Sequence, residues 1–280
     1  TSGVRISGTG VSAKVVKHFK PLNNQVENKI RDAIKGEREK RVRAAKEEKG
    51  KPGKPKGFLR DEDLIREIAM REGFTDDEID TFLEMAMQRR DPKRQMNAQL
   101  VERVTLLVRV DANAAPGRRD LRLLGPNGLS NPLSFIVGGV PEIRDTEPNN
   151  SHTAADPEKI AFPCVINGRI LPGDVDCFAF DARKGMKLTA AVSARELTPY
   201  LADAVPGWFQ AVATLYDARG REVVSRSGFA HRPDPMINLT IPADGRYVLQ
   251  IRDSVSRGRE DFVYRVLLGE IPCLTEQFPA

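Results

Sequence analysis

Six oxygen-bearing side chains crowd one short part of this 280-residue sequence: Asp145, Glu147, Asn149 and Asn150 in RDTEPNNS, then Asp174 and Asp176 in GDVD. Carboxylate and amide oxygens are hard ligands, and Ca2+ takes about six to eight oxygens in irregular geometry. An acidic segment folded against an acidic turn therefore suits calcium. The same residues also suit a metal-free arrangement, in which Asp174 and Asp176 shape a turn and Glu147, Asn149 and Asn150 form hydrogen-bonded Asx turns. Either arrangement needs the two groups to converge in space.

Residues for covalent or acid–base chemistry are sparse. The histidines are His18, His152 and His231. None comes with a serine in a nucleophile elbow, an HExxH pattern or a recognisable cysteine partner. His231, near Asp234 in an Arg- and Pro-rich loop, reads as part of a surface turn. Asp174 and Asp176 lie two residues apart on a tight turn, which suits metal or hydrogen bonding better than flanking a sugar. No catalytic residue is assigned, and the chain is expected not to be an enzyme. Tyr200, Trp208 and Phe209 suit a ligand-binding platform for a sugar or a peptide; core filling is the other use of such residues. Cys164, Cys177 and Cys273 lack CxxC spacing and a His cluster, which argues against zinc and for buried thiols.

With 40% hydrophobic and 30% charged residues the chain reads as globular and long enough for two ordinary domains. Its formal charge of +5 is local, since residues 35–56 carry ten Lys and Arg against four Glu. A mixed Lys/Glu run reads as a solvated helix face and tether, and no nucleic acid is expected as a partner. No apolar run reaches the roughly eighteen residues of a membrane span. A chain that opens on Thr1 is read as a piece of a longer polypeptide.

The elements that must position the acidic group are mostly strands. Val4 and Ile6, then Val11, Ala13 and Val15, alternate around a glycine turn, the pattern of a strand pair. The GTG within it lacks the helix and Lys of a phosphate loop. Alternation resumes at Val104, Leu106, Val108 and Val110, with turns at Ala115-Pro116-Gly117 and Pro126-Asn127-Gly128 before a last strand to Val137.

Between these halves, residues 22–94 switch to a helical period. Val26, Ile30 and Ile34 open a helix, GKPGKPKG (50–57) follows as a flexible basic linker, and two shorter helices come next. The first covers about 61–72; the second opens on the capping-box pattern Thr75-Asp-Asp-Glu78. Ile65, Ile68 and Ala69 with Ile79, Phe82, Leu83 and Met87 supply facing apolar stripes, making this either an insertion that packs on itself or on the sandwich, or a partner-docking arm. After Gly138, strands are expected at 161–170, 176–181, 186–194, 210–217, 221–227, 236–242, 246–253 and 262–268. The connecting LPGD, ARKG, DARG and PADG turns predict an antiparallel sandwich or jelly roll.

Two resemblances add to this. GTGVSAKVV with VTLLVRVDANAAPGRRDLRLLGPNGLSNPLSFIVG resembles the immunoglobulin-like, transcription-factor-type (IPT/TIG-like) modules of large secreted bacterial proteins, particularly those of planctomycetes. The G-x-x-V-x-V-x-V strand that opens such modules has no counterpart here. EPNNS, ING-x-I, GDVD-x-F-x-F, LYD-x-x-G and DG-x-Y-x-L-x-I-x-D, closing with YRV, follow in order over residues 142–270. This series is similar to the bacterial pre-peptidase C-terminal domain, a calcium-associated β-sandwich. The similarity implies calcium oxygens from Glu147, Asn149, Asn150, Asp174 and Asp176; Asp145 is added for its place in the acidic group.

The expected fold is mainly β, with two antiparallel β-sandwich modules. The first, immunoglobulin-like, covers 1–140 with an α-helical insertion at 22–94. An acidic linker at 141–151 leads to a jelly roll like the pre-peptidase C-terminal domain over 152–272, and 273–280 runs towards a further module. The expected role is a non-catalytic structural or interaction segment of a secreted, periplasmic or cell-surface protein. Ca2+ would clamp its hinge, and other modules or assembly subunits would be its partners. The alternative is a substrate-binding accessory module of a secreted hydrolase, taking an extracellular polysaccharide or protein.

Overall fold

A computed structural model describes residues 3–48, 62–90, 102–152, 160–198, 209–228 and 232–272. The protein is mainly β, with several antiparallel sheets and a helical insertion. It divides into two compact units, Val16–Thr105, and Thr1–Val15 together with Leu106–Ala280. The division falls inside β2 (Val11–Phe19) and β3 (Arg103–Val110), which pair as a two-stranded ribbon.

The helical unit follows its local signals. Helix α1 (Asn24–Glu48) starts where Asn23 Oδ1 accepts the Val26 N–H at 2.9 Å, an N-cap. Helix α2 (Glu62–Arg71) stops ahead of Gly73, whose φ of +86° is the left-handed conformation that closes helices. Helix α3 (Asp76–Arg90) opens on the expected capping box: the Thr75 N–H donates to Glu78 Oε2 at 2.9 Å, and the Glu78 N–H donates to Thr75 Oγ1 at 3.3 Å. Ile30, Ile34, Ile65, Ile68, Ile79 and Phe82 share its core, whereas Met87 of the expected stripe is exposed.

The charged run 35–48 continues α1, because Ala, Glu, Lys and Arg are strong helix formers and Glu37 pairs with Arg41 and Arg71. The expected linker at 50–57 lies outside the described residues. Buried Glu27 is held by Arg89 and Arg31, and the Arg89 hydrogen bond keeps its carboxyl below the usual carboxylate range.

In the β-rich unit the strand pair expected around the glycine turn does not form. β1 (Gly3–Ile6) instead pairs with β4 (Gly117–Gly125), with Val4 opposite Leu123, while β2 goes to β3. Alternation along a strand marks it as a strand without naming its partner. β4 also pairs with β5 (Gly128–Leu129) and with β6 (Leu133–Val137). Val137 is the buried apolar residue of this sheet.

All eight strands expected after Gly138 are present. One sheet orders β13 (Met236–Thr240), β10 (Lys187–Ser193), β15 (Val263–Gly269), β8 (Cys164–Arg169) and β7 (Glu142–Arg144). The other orders β12 (Glu222–Arg226), β11 (Ala211–Tyr216), β14 (Gly245–Asp253) and β9 (Asp176–Ala182). Their inner faces share one core that includes Ile166, Phe180, Leu188, Leu215, Leu249 and Val266. The acidic stretch that reads as a linker begins as a strand of this sandwich: β7 runs parallel to β8, with Ile143 opposite Ile166.

Cys164 and Cys177 are free, buried thiols. Cys164 lies in the main core and Cys177 in a smaller cluster with Ala179 and Val248. Burial pushes both thiols up, Cys177 to about 11. Cys273 lies outside the described residues.

Candidate metal centre

Two elements bring the acidic residues together. The backbone leaving β7 is held to β8 by the Asp145 N–H, which donates to the Asn167 carbonyl at 2.8 Å. Four residues on, the Cys177 N–H donates to the Asn149 carbonyl at 3.1 Å, tying the same segment to β9. Between these pins lie Asp145, Glu147 and Asn149. From the other side, the turn between β8 and β9 carries Asp174, and β9 opens on Asp176. That turn is shaped by Asp174 itself, whose oxygens accept the N–H groups of Leu171 at 3.1 Å and Val175 at 3.2 Å. Behind it, Gly258 lies so close that a Cβ there would stand 1.9 Å from the Leu171 carbonyl carbon.

Ligand atoms of Asp145, Glu147 and Asp176 lie within 4.8 Å of one another. Asn149 Nδ2 donates to Asp145 Oδ1 at 2.6 Å, and its N–H donates to Glu147 Oε2 at 3.2 Å. Asp176 is fully buried, and the hydroxyl of Tyr264 donates to its Oδ2. Among the described residues, Asn149 Oδ1 and Asp176 Oδ1 are buried and have no hydrogen-bond partner. Orphaned buried acceptors cost about 1–3 kcal/mol each, and both belong to this cluster. Burial, then the charges of Glu147 and Asp174, push Asp145 up to about 6. Burial, then Asp145, push Asp176 up to about 9. Burial also raises the Tyr264 hydroxyl well above its ordinary value.

The donor set fits a hard divalent cation. Three carboxylates converge with the Asn149 side chain bonded to one of them, Asp176 Oδ1 among them lacks a hydrogen-bond partner, and among the described residues no sulfur or imidazole belongs to the cluster. A cation there would remove the electrostatic reason for the raised carboxyl pKa values. Without one, burial and then the charge of Asp145 favour the protonated form of Asp176. Of the residues named from sequence, Asp145, Glu147, Asn149 and Asp176 come together. Asp174 stands close enough to raise both aspartates, but it is occupied in shaping the turn. Asn150 is exposed and takes no part in these hydrogen bonds.

Sequence reasoning missed Tyr264 and Gly168. They sit opposite each other in the β8–β15 ladder. A Cβ on Gly168 would stand 2.2 Å from Tyr264 Oη, so the glycine makes room for the tyrosine. Both occur inside the motifs ING-x-I and YRV, yet spacing alone gives neither a task.

Of the three aromatic residues named for a platform, one is described. Phe209 is a core residue just ahead of β11, its ring stacked on Phe262 at 5.2 Å. Tyr200 and Trp208 lie outside the described residues, as does His231. Asp234 instead accepts the N–H groups of Ala194, Arg195 and Glu196, closing the turn after β10. His18 bonds Glu102, while His152 stacks against Tyr216 and bonds Gln250.

No protein-family model matches the chain, and no curated protein sequence does. Among solved structures, the pre-peptidase C-terminal domain of a collagenase from Bacillus anthracis is 12% identical, with a TM-score of 0.28, covering 47% of this chain and 99% of that one. PliG of Aeromonas hydrophila, a periplasmic inhibitor of g-type lysozyme, is 12% identical at TM-score 0.29, covering 46% and 96%. A carbohydrate-binding module of the β-sandwich superfamily is 12% identical at TM-score 0.22, covering 61% and 81%. At such scores the functional reading rests on the geometry of this chain.

Proposed function

We propose that this chain is a non-catalytic structural or interaction segment of a secreted or cell-surface multidomain protein. In this reading Ca2+, held by Asp145, Glu147, Asn149 and Asp176, locks the segment leaving β7 onto the sandwich at residues 160–272. The observation that carries the proposal is the buried, partnerless Asp176 Oδ1 inside a cluster of three carboxylates, next to an Asn149 side chain that bonds Asp145 and whose own Oδ1 is also buried and partnerless. Calcium supplies positive charge; the chain's own residues supply the rest by fixing two strands and a turn around it. The clamp works within the sandwich's own edge, since β7 already belongs to the sheet. The division into an immunoglobulin-like module over 1–140 and a pre-peptidase-C-like one over 152–272 belongs to the same proposal.

The non-enzymatic part of this reading rests on the sequence, in which no histidine falls in a recognisable catalytic pattern; in the fold His18 bonds Glu102 and His152 bonds Gln250. The test is calorimetry and thermal melting of the chelator-stripped protein titrated with CaCl2. The proposal expects one binding event and a higher melting temperature; neither heat nor shift would remove the ion from this reading.

A further inference from the structure

A cleft adjoins the acidic cluster on the side of β6. Among the described residues β6 pairs with β4 and with no other strand, which makes it an edge strand. The cleft of about 670 Å³ beside it is lined by four consecutive β6 residues, Leu133, Ser134, Phe135 and Ile136. Successive side chains of a strand point to opposite faces. A cavity touching four in a row therefore runs along the open edge of the strand.

The opposite wall is the outward face of β7, β8 and β15. Register places Arg144 across from Asn167 and Asn167 across from Arg265, with Arg169 two residues further along β8. Their chain neighbours Ile166 and Val266 point into the core, so these side chains point away from it. Arg265 is neutralised by Glu142 at 2.8 Å. Arg144 and Arg169 are exposed and have no carboxylate partner among the described residues.

An open strand edge offers unpaired N–H and C=O groups at the spacing of another peptide strand, a match that a sugar chain does not reproduce. We propose that an extended acidic peptide adds to the edge of β6 in this cleft, its carboxylates meeting Arg144 and Arg169. Asp145 and Glu147 close one end of the cleft, and this end disfavours acidic side chains unless a cation is bound there. The backbone pairing and the two arginines stand independently of calcium.

The test uses the whole 280-residue chain and fluorescein-labelled hexapeptides of alternating Glu and Val, followed by anisotropy in chelator and again in CaCl2. Controls are the Lys-Val counterpart and two N-methylated forms, one blocked at the glutamates and one at the valines. The Glu-Val peptide should bind at least about tenfold more tightly than Lys-Val, and one N-methylated form should lose about tenfold while the other keeps its affinity. The double variant R144A/R169A should lose about tenfold with an unchanged melting temperature.

No peptide binding in either buffer, equal loss from both N-methylated forms, or undiminished binding by the variant would overturn the proposal. So would binding of oligogalacturonate in place of peptide, or self-association of the chain that excludes the peptide. Failure of calcium to raise the melting temperature would bear on the metal reading alone.

Discussion

Tyr264 and Gly168 face each other across the β8–β15 ladder, and the absent Cβ of Gly168 is what lets the Tyr264 phenol reach Asp176. The calcium reading therefore depends on a glycine that carries no ligand atom. Gly168→Ala should force the buried ring aside and cost about 1–3 kcal/mol in urea denaturation, the range for overpacking a filled core. Tyr264→Phe should cost about 1–3 kcal/mol by removing a donor from a buried acceptor. Because both changes break the same contact, the double variant should cost less than the two single costs together. Strict additivity would show that the ladder contact does not couple them.

Asp176→Asn separates ligand from fold. The neutral amide resembles the protonated acid that the calcium-free site already prefers, so the chelated variant should melt no lower than the parent at pH 8. The calcium-dependent rise in melting temperature should vanish. A variant that keeps its full calcium response would exclude Asp176 as a ligand.

The pH dependence follows from the two raised aspartates. Asp145 at about 6 and Asp176 at about 9 hold protons that the unfolded chain, with carboxyls near 4, has already released. Stability of the calcium-free protein should therefore fall as pH rises, through both groups between about 4 and 6 and through Asp176 alone up to about 9, by up to about 1.4 kcal/mol per pH unit for each proton. Saturating calcium should flatten this decline. Near pH 7, calcium binding should release close to one proton, read by calorimetry in buffers of different ionisation enthalpy. A flat calcium-free profile over this window would contradict the burial of Asp176.

In the helical unit the sign reverses. Glu27 is buried against Arg89 and Arg31, and its pKa is lowered, first by the Arg89 hydrogen bond. Its contribution is present above the unfolded carboxyl value and lost as pH falls through the folded one. Glu27→Ala should cost about 1–3 kcal/mol at pH 7 and much less at pH 3, measured by denaturant unfolding. Equal cost at both pH values would mean that packing, not charge, sets the effect.

Much of this molecule was legible in order along the chain. The capping box at Thr75 and Glu78, the glycine stop at Gly73 and the strands after Gly138 all stand where local chemistry predicts them, because caps, turns and period-2 alternation act over a few residues. The oxygen-bearing residues of RDTEPNNS and GDVD are visible in the sequence in the same way. Pairing was not legible in the same way. The glycine turn before Val11 reads as a hairpin, yet β1 goes to β4 and β2 to β3, since alternation says nothing about which distant strand supplies the missing hydrogen bonds. For Phe209 the sequence left a platform and a core position both open, and three-dimensional packing, with Phe262 stacked against its ring, makes it core. Composition therefore determined which oxygens this protein has to offer a cation. Tertiary structure decided which of them are buried, which lack a partner, and that Tyr264, eighty-eight residues from Asp176, completes the group, because burial and register are set by contacts between distant strands.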